Sequence, residues 1–93
     1  MMLEIEELCG SFAENKDQAR ELRENAIKPA LKKGLKITID FTGVDSSTQS
    51  FVHALISAVF REEGESILRS VRFKGCNKAV QSLITTVVNY SLE

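Results

Sequence analysis

The sequence predicts an α/β protein in which strands and helices alternate along the chain. Residues 35–44 alternate apolar and polar side chains, which is typical of a strand with one buried face. In three other segments, at about residues 15–33, 47–62 and 78–91, apolar residues recur every three to four positions, as in amphipathic helices. This alternation favours an open, at least partly parallel sheet with helices packed on it.

Two shorter strands complete the predicted order of strand, helix, strand, helix, strand, helix. The first covers residues 3–8, where Leu3 and Ile5 alternate with glutamates and a turn follows at Gly10. The third covers residues 70–74, after a helix that ends at Gly64 and one further turn at residues 65–68.

The first helix has clear start and stop signals. Asn15, followed three residues later by Gln18, has the form of a capping box, and Gly34 ends the helix. Pro29 lies inside the helix and has no N–H to donate. We therefore expect a kink or an early end near Lys28.

The two later helices also begin at capping residues. Ser46 with Gln49 forms a second candidate capping box, and Asp45 is a competing cap for the same helix. Asn77 is the predicted cap of the last helix.

Length and composition limit the number of domains and the kinds of partner that the chain is expected to have. With 93 residues, of which 43% are hydrophobic and 27% charged, the chain is predicted to form one domain over residues 1–93. The formal net charge of −1 gives no overall attraction to nucleic acid or to anionic membranes, so neither is the default partner.

The N-terminal glutamates and the cysteines indicate the compartment. Glu4, Glu6 and Glu7 interrupt any signal peptide, so we expect a reducing cytoplasm for Cys9 and Cys76. Neither cysteine has a companion at metal-ligand spacing, and no apolar run is long enough to cross a membrane. We predict no metal and no other cofactor.

Basic residues are concentrated in one part of the sequence. Arg69, Arg72, Lys74 and Lys78 follow one another with no acidic residue between them. Such a run is usually a solvated face, and the alternative is a basic patch that docks an acidic partner.

The residues that could support catalysis are few. His53 is the sole histidine, and no orienting partner for it can be named from the sequence. Asp40 and Asp45 flank a strand end and could act as an acid and base pair, although turn and cap roles are commoner for such residues. No glycine-rich phosphate loop is present. We predict that the protein is not an enzyme.

The segment between the long strand and the second helix is the most informative one. Its polar side chains lie at a predicted helix N-terminus, where N–H groups are unpaired and the helix dipole is positive. It could bind a phosphate or a partner's carboxylate, carry a phosphorylated side chain, or only cap the helix.

Three stretches of sequence resemble one known family. They are residues 19–22 (AREL), 37–44 (ITIDFTGV) and 48–51 (TQSF), and the similarity extends over residues 15–88. In these stretches the chain resembles the STAS-like domain family of unknown function found in bacteria and their mobile elements. The resemblance implies a small mixed β-sheet with helices mainly on one face, as in anti-anti-sigma factors.

The resemblance also implies a partner and a switch. In anti-anti-sigma proteins the loop and helix after the central strand contact an ATPase of the histidine-kinase type, and a serine at the helix start is phosphorylated. The acceptor serine corresponds to Gln49 here, which argues against the same switch. Ser50 is the adjacent hydroxyl and the candidate phosphorylation site if the kinase register shifts.

The first hypothesis is thus a non-enzymatic regulatory module that docks a protein partner. The residues predicted to bind that partner are Asp45, Ser46, Ser47, Thr48, Gln49, Ser50 and His53. The second hypothesis is a small-ligand or phosphate-binding domain, or an enzyme, that uses Asp40, Asp45 and the helix N-terminus. A third is a homodimer formed through the outer sheet edge or an uncovered sheet face.

Overall fold

A computed structural model describes all residues from Met1 to Glu93. Its strands are β1 (Met2–Glu4), β2 (Phe12–Ala13), β3 (Ile37–Asp40), β4 (Ser46–Ser47) and β5 (Val71–Lys74). The first, third and fifth form a sheet in the order β1-β3-β5, and β2 pairs separately with β4. Every pair of neighbouring strands is parallel, whereas the family resemblance implied a mixed sheet. The parallel arrangement follows because helices connect the successive strands of the main sheet.

Four helices accompany the strands. They are α1 (Ile5–Cys9), α2 (residues 16–32), α3 (residues 49–63) and α4 (Lys78–Ser91), and a 3₁₀ segment, Gly64–Arg69, follows α3. The three long helices predicted from the sequence are confirmed, and so is the extra turn predicted after the second of them. None of the helices combines the length and the apolar composition needed to cross a membrane.

The predicted first strand is only partly correct. Pairing stops at Glu4, and the chain continues as α1, where Glu6 and Glu7 lie in the first turn, near the positive end of the helix dipole. Ile5 is fully buried although its neighbours are exposed, because this short helix packs a single side chain into the core. The alternation of apolar and polar residues therefore continues past the end of the strand.

Helix α2 confirms the cap at Asn15 but corrects the expected effect of Pro29. The Asn15 side chain accepts hydrogen bonds from the second and third helical N–H groups, and the helix continues to Lys32 instead of ending near Lys28. A π-helical segment, Arg23–Ile27, comes directly before Lys28, and the Lys28 N–H donates to the Arg23 carbonyl five residues earlier. The wider turn allows the helix to continue past a proline that has no N–H.

The helices cover one face of the main sheet. Leu3, Ile37, Ile39 and Val71 point to the core and are nearly inaccessible to solvent. The other face carries two cross-strand rows in register, which are Met2, Thr38 and Arg72, and Glu4, Asp40 and Lys74. The end residues of both rows are exposed, so this face of the sheet is open.

Helix α3 forms the centre of the core. Its buried apolar side chains are Phe51, Val52, Leu55, Ile56, Val59 and Phe60. It contains a second π-helical segment, His53–Ser57, and polar contacts link this segment to both neighbouring helices. The Arg23 Nη1 atom donates to the Ala54 carbonyl oxygen at 2.8 Å, and the buried hydroxyls of Ser57 and Ser91 are 2.9 Å apart.

Gly75 allows the turn after β5 to lie against the end of β3. Its φ of +69° favours glycine, and a Cβ there would overlap the Thr42 hydroxyl and lie 2.9 Å from the Asp40 Oδ1 atom. Asp40 itself accepts hydrogen bonds from the Thr42 N–H at 2.9 Å and from the Thr42 hydroxyl at 2.6 Å. No side chain fits at position 75 unless this turn shifts.

Gly75→Ala should lower the free energy of unfolding by about 2–3 kcal/mol, because it adds left-handed backbone strain to the disruption of the Asp40–Thr42 hydrogen bonds. Gly34→Ala is the matched control, since Gly34 has a similar φ of +73° and open space around the added Cβ. The control should lose only about 1 kcal/mol. Equal losses in urea denaturation would contradict the steric explanation.

Arg23→Met should lower the free energy of unfolding by about 1–2 kcal/mol, because methionine retains the apolar stem but cannot donate to the Ala54 carbonyl. Arg20→Met removes an exposed arginine of the same helix, paired only with Asp17, and should change stability by less than about 0.5 kcal/mol. Thermal and urea denaturation measure both. If both variants are as stable as the unsubstituted protein, the link between the helices is unimportant.

Candidate protein-docking site

The segment predicted to bind a partner is held in place by its backbone. The Asp45 N–H donates to the Ser11 carbonyl at 2.8 Å, and the Thr48 N–H donates to the Ala13 carbonyl at 3.2 Å. Between them, β4 pairs with β2, and the Ser47 hydroxyl donates to the same Ala13 carbonyl at 2.6 Å. The segment is therefore ordered, and it forms a second, two-stranded sheet with β2.

This strand pairing corrects the predicted helix cap. Neither Asp45 nor Ser46 caps α3; Thr48 is the N-cap, and its hydroxyl oxygen accepts a hydrogen bond from the Phe51 N–H at 3.1 Å. The helix consequently begins at Gln49, two residues after the predicted start. The pairing of β4 keeps Ser46 and Ser47 extended, so the first residue free to cap the helix is Thr48.

Asn77 joins this segment to helix α4. Its Oδ1 atom accepts a hydrogen bond from the Val80 N–H at 2.9 Å, which confirms the predicted cap. Its Nδ2 atom donates to the carbonyl oxygens of Asp45 at 2.8 Å and Val44 at 3.3 Å. One side chain thus positions the loop relative to the helix.

A surface cavity of about 450 Å³ opens beside the start of α3. Its lining residues come from three helices and are Lys16, Gln49, Ser50, His53, Ala54 and Tyr90. The His53 Nδ1 atom and the Tyr90 hydroxyl are 2.7 Å apart, and their ring centroids are separated by 5.7 Å. The lining residues include one lysine and no carboxylate.

The structure brings together some of the predicted site residues. Gln49, Ser50 and His53 line the cavity and are exposed. Asp45 and Ser46 are exposed on the preceding segment but do not line the cavity. The two remaining residues, Ser47 and Thr48, are half-buried and use their hydroxyls in internal hydrogen bonds.

Sequence reasoning missed Lys16, Ala54 and Tyr90. Lys16 is the first residue of α2, and Tyr90 lies in the last turn of α4. Neither has a local motif that marks it as a site residue. Only the packing of α2 and α4 on either side of α3 brings them to the cavity.

The two aspartates of the second hypothesis do not share a site. Asp40 lines a different cavity, of about 380 Å³, together with Glu4, Glu6, Glu7 and Thr42. Hydrogen bonds from the Thr42 hydroxyl and N–H hold the pKa of the Asp40 carboxyl below its usual value, and the Lys74 charge acts in the same direction. Asp45 does not line this cavity. The structure therefore gives no support to an acid and base pair formed by Asp40 and Asp45.

Glu4 and Glu7 line the same cavity as Asp40. A hydrogen bond with Glu7 and the negative charge of Glu7 raise the pKa of Glu4. No group of three or more histidine, cysteine or acidic side chains has an arrangement that could hold a metal ion.

The two cysteines are free thiols. Partial burial raises the pKa of both, and the charge of Asp40 raises that of Cys76 further. Cys9 lines a cavity between α1 and α2, whereas Cys76 lines one between β5 and α4.

Comparison with known proteins identifies the family. Searches of curated proteins and of solved structures gave no match. A family model described as a STAS-like domain of unknown function (DUF4325) matches residues 18–81, more than half of the chain. The matched region includes most of α2 and all of β3, α3 and β5, which together supply most of the core. The chain belongs to this family of STAS-like domains.

Proposed function

We propose that this chain is a non-enzymatic regulatory module that binds a protein partner through residues 45–50 and the start of α3. The observation that carries the proposal is the cavity at the start of α3, where Gln49, Ser50 and His53 are exposed beside Lys16 and Tyr90. We further propose a bacterial, cytoplasmic protein whose partner is an ATPase regulator of the histidine-kinase type, as the resemblance to anti-anti-sigma factors implies.

The rigidity of the loop supports a docking role. Backbone hydrogen bonds to Ser11 and Ala13 hold its two ends, and the Asn77 side chain holds it from α4. A loop that is already ordered loses little conformational entropy when a partner binds. The exposed side chains of Asp45, Ser46 and Gln49 are thus presented on a preorganised surface.

The surroundings of His53 support binding rather than catalysis. A histidine that acts as a general base is normally oriented by a carboxylate or another fixed acceptor and lies beside a nucleophile. Here the Nδ1 atom of His53 is paired with the Tyr90 hydroxyl, and no carboxylate lines the cavity. The paired rings offer an aromatic and hydrogen-bonding contact of the kind found at interfaces.

Among the hydroxyls of the segment, Ser50 is the best candidate for phosphorylation. It is exposed and lines the cavity with Lys16, whereas the hydroxyls of Ser47 and Thr48 are engaged inside the molecule. A phosphate at the second residue of α3 would interact favourably with the positive end of the helix dipole and with Lys16. It would occupy the same cavity that we assign to the partner.

The proposal predicts that the Gln49→Ala and His53→Ala double variant recovers about tenfold less partner than the unsubstituted protein, because both side chains line the docking cavity. The measurement is affinity purification from the native host, with mass spectrometry of the co-purifying proteins. The Arg61→Ala and Glu65→Ala double variant is the control, since these residues are exposed and do not line the cavity. Recovery of no ATPase-type regulator, or equal recovery by both variants, would refute the proposal.

Incubation with the co-purified ATPase, ATP and Mg²⁺ should place phosphate on Ser50 and weaken the complex, since phosphate adds close to two negative charges. The Ser50→Ala variant should remain unmodified, and Ser46→Ala should be modified like the unsubstituted protein. Tandem mass spectrometry locates the phosphate. Phosphate on Ser46, or no incorporation at all, would exclude Ser50 as the acceptor.

A further inference from the structure

Strand β5 is an open edge of the main sheet. The Ile37 N–H donates to the Ser70 carbonyl at 2.7 Å, and the Phe41 N–H donates to the Lys74 carbonyl at 2.8 Å, so these carbonyls face β3. Because a strand alternates the direction of its backbone groups, the N–H and C=O groups of Val71 and Phe73 face away from β3. No strand pairs with them on that side.

A cavity with both polar and apolar walls lies next to this edge. It has a volume of about 390 Å³, and its apolar lining is formed by Phe73, Cys76 and Ile84. Gln81 and Thr85 of α4 complete its wall and also line an adjoining cavity of about 450 Å³. The first cavity lies between β5 and α4, and the second lies along the outer face of α4; the two are called the groove below.

Exposed basic residues lie near this groove. Arg69, Arg72 and Lys78 are exposed, and none of them forms an ion pair within the chain. No acidic residue occurs between Glu65 and Glu93. Lys74 is also exposed, but it lies in register with Asp40, which offsets part of its charge. Asp40 is an acidic neighbour of the groove, since its Oδ1 atom would lie 2.9 Å from a Cβ at Gly75. The basic side chains of Arg72, on β5, and Lys78, beside the second cavity, outnumber it at this edge.

We propose that the β5 edge is a second docking surface, which binds an extended acidic segment of a partner protein by strand addition. The backbone of the segment would pair with Val71 and Phe73, and its alternate side chains would point to opposite faces of the extended sheet. Apolar side chains on the helix-covered face would enter the cavity beside Phe73 and Ile84. Acidic side chains on the open face would lie near Arg72.

This surface is separate from the docking site at the start of α3. Gln81 and Thr85 line the groove, whereas Tyr90, on a different face of α4, lines the cavity of the proposed partner site. The strand-addition proposal does not depend on the proposed function, so either one can fail without the other.

The test uses a synthetic octapeptide of alternating valine and glutamate, blocked at both ends. We expect it to slow alkylation of Cys76 by about tenfold at saturation, since the thiol lies in the cavity that the peptide would cover. Cys9 is the internal control, because it is also half-buried but lines a cavity on another part of the surface. Equal protection of both cysteines would overturn the proposal.

Two comparisons separate strand addition from charge attraction. An octapeptide with N-methyl groups on the residues whose N–H groups face β5 should not bind, because it cannot donate to the strand. The Arg72→Glu and Lys78→Glu double variant should bind the unmethylated peptide about tenfold more weakly than the Lys33→Glu and Arg61→Glu variant, which has the same net charge. Circular dichroism verifies that both variants fold.

Three further outcomes would overturn the proposal. Binding that survives N-methylation would exclude strand pairing. Absence of binding at millimolar peptide would mean that the basic side chains only protect the edge from association. Light scattering that shows oligomers in the absence of peptide, dispersed by Arg72→Glu, would assign the edge to a second copy of the chain.

Discussion

The burial of α3 against the sheet and between two other helices is the interaction on which the structure depends. Apolar side chains surround most of this helix, and Phe51, Leu55 and Phe60 are completely inaccessible to solvent. Polar contacts from Arg23 and Ser91 reach its π-helical segment and set the positions of α2 and α4. Because α3 is fixed on several sides, its first turn is a rigid platform for the candidate docking site.

The main sheet has one uncovered face, which is unusual for a parallel sheet. Parallel sheets are normally covered on both faces, but this one has helices on one face and, on the other, one mixed row and one charged row. A sheet of three short strands can leave one face open to solvent because few apolar side chains lie on that face. The open face and the unpaired β5 edge leave backbone and basic groups accessible, and the proposed second docking surface depends on these groups.

The polar segment before α3 combines structural and surface roles. Ser47 and Thr48 stabilise strand pairing and the helix cap, while Gln49 and Ser50 face solvent. Asn77, far away in the sequence, connects this segment to α4 through its amide. In the proposed docking role, a substitution in this segment would change partner binding either by removing a contact or by shifting the position of the segment. Comparing exposed residues with internally bonded ones distinguishes the two effects.

The sequence by itself determined the α/β class, the long helices, the caps at Asn15 and Asn77 and three residues of the candidate cavity. These features depend on local periodicity and on contacts within a few residues, which composition and spacing reveal. Only the tertiary structure decided the order of the strands in the sheet, the β2–β4 pair that moved the cap to Thr48, and the approach of Lys16 and Tyr90 to Ser50. These depend on packing between segments distant in sequence, for which no local pattern exists.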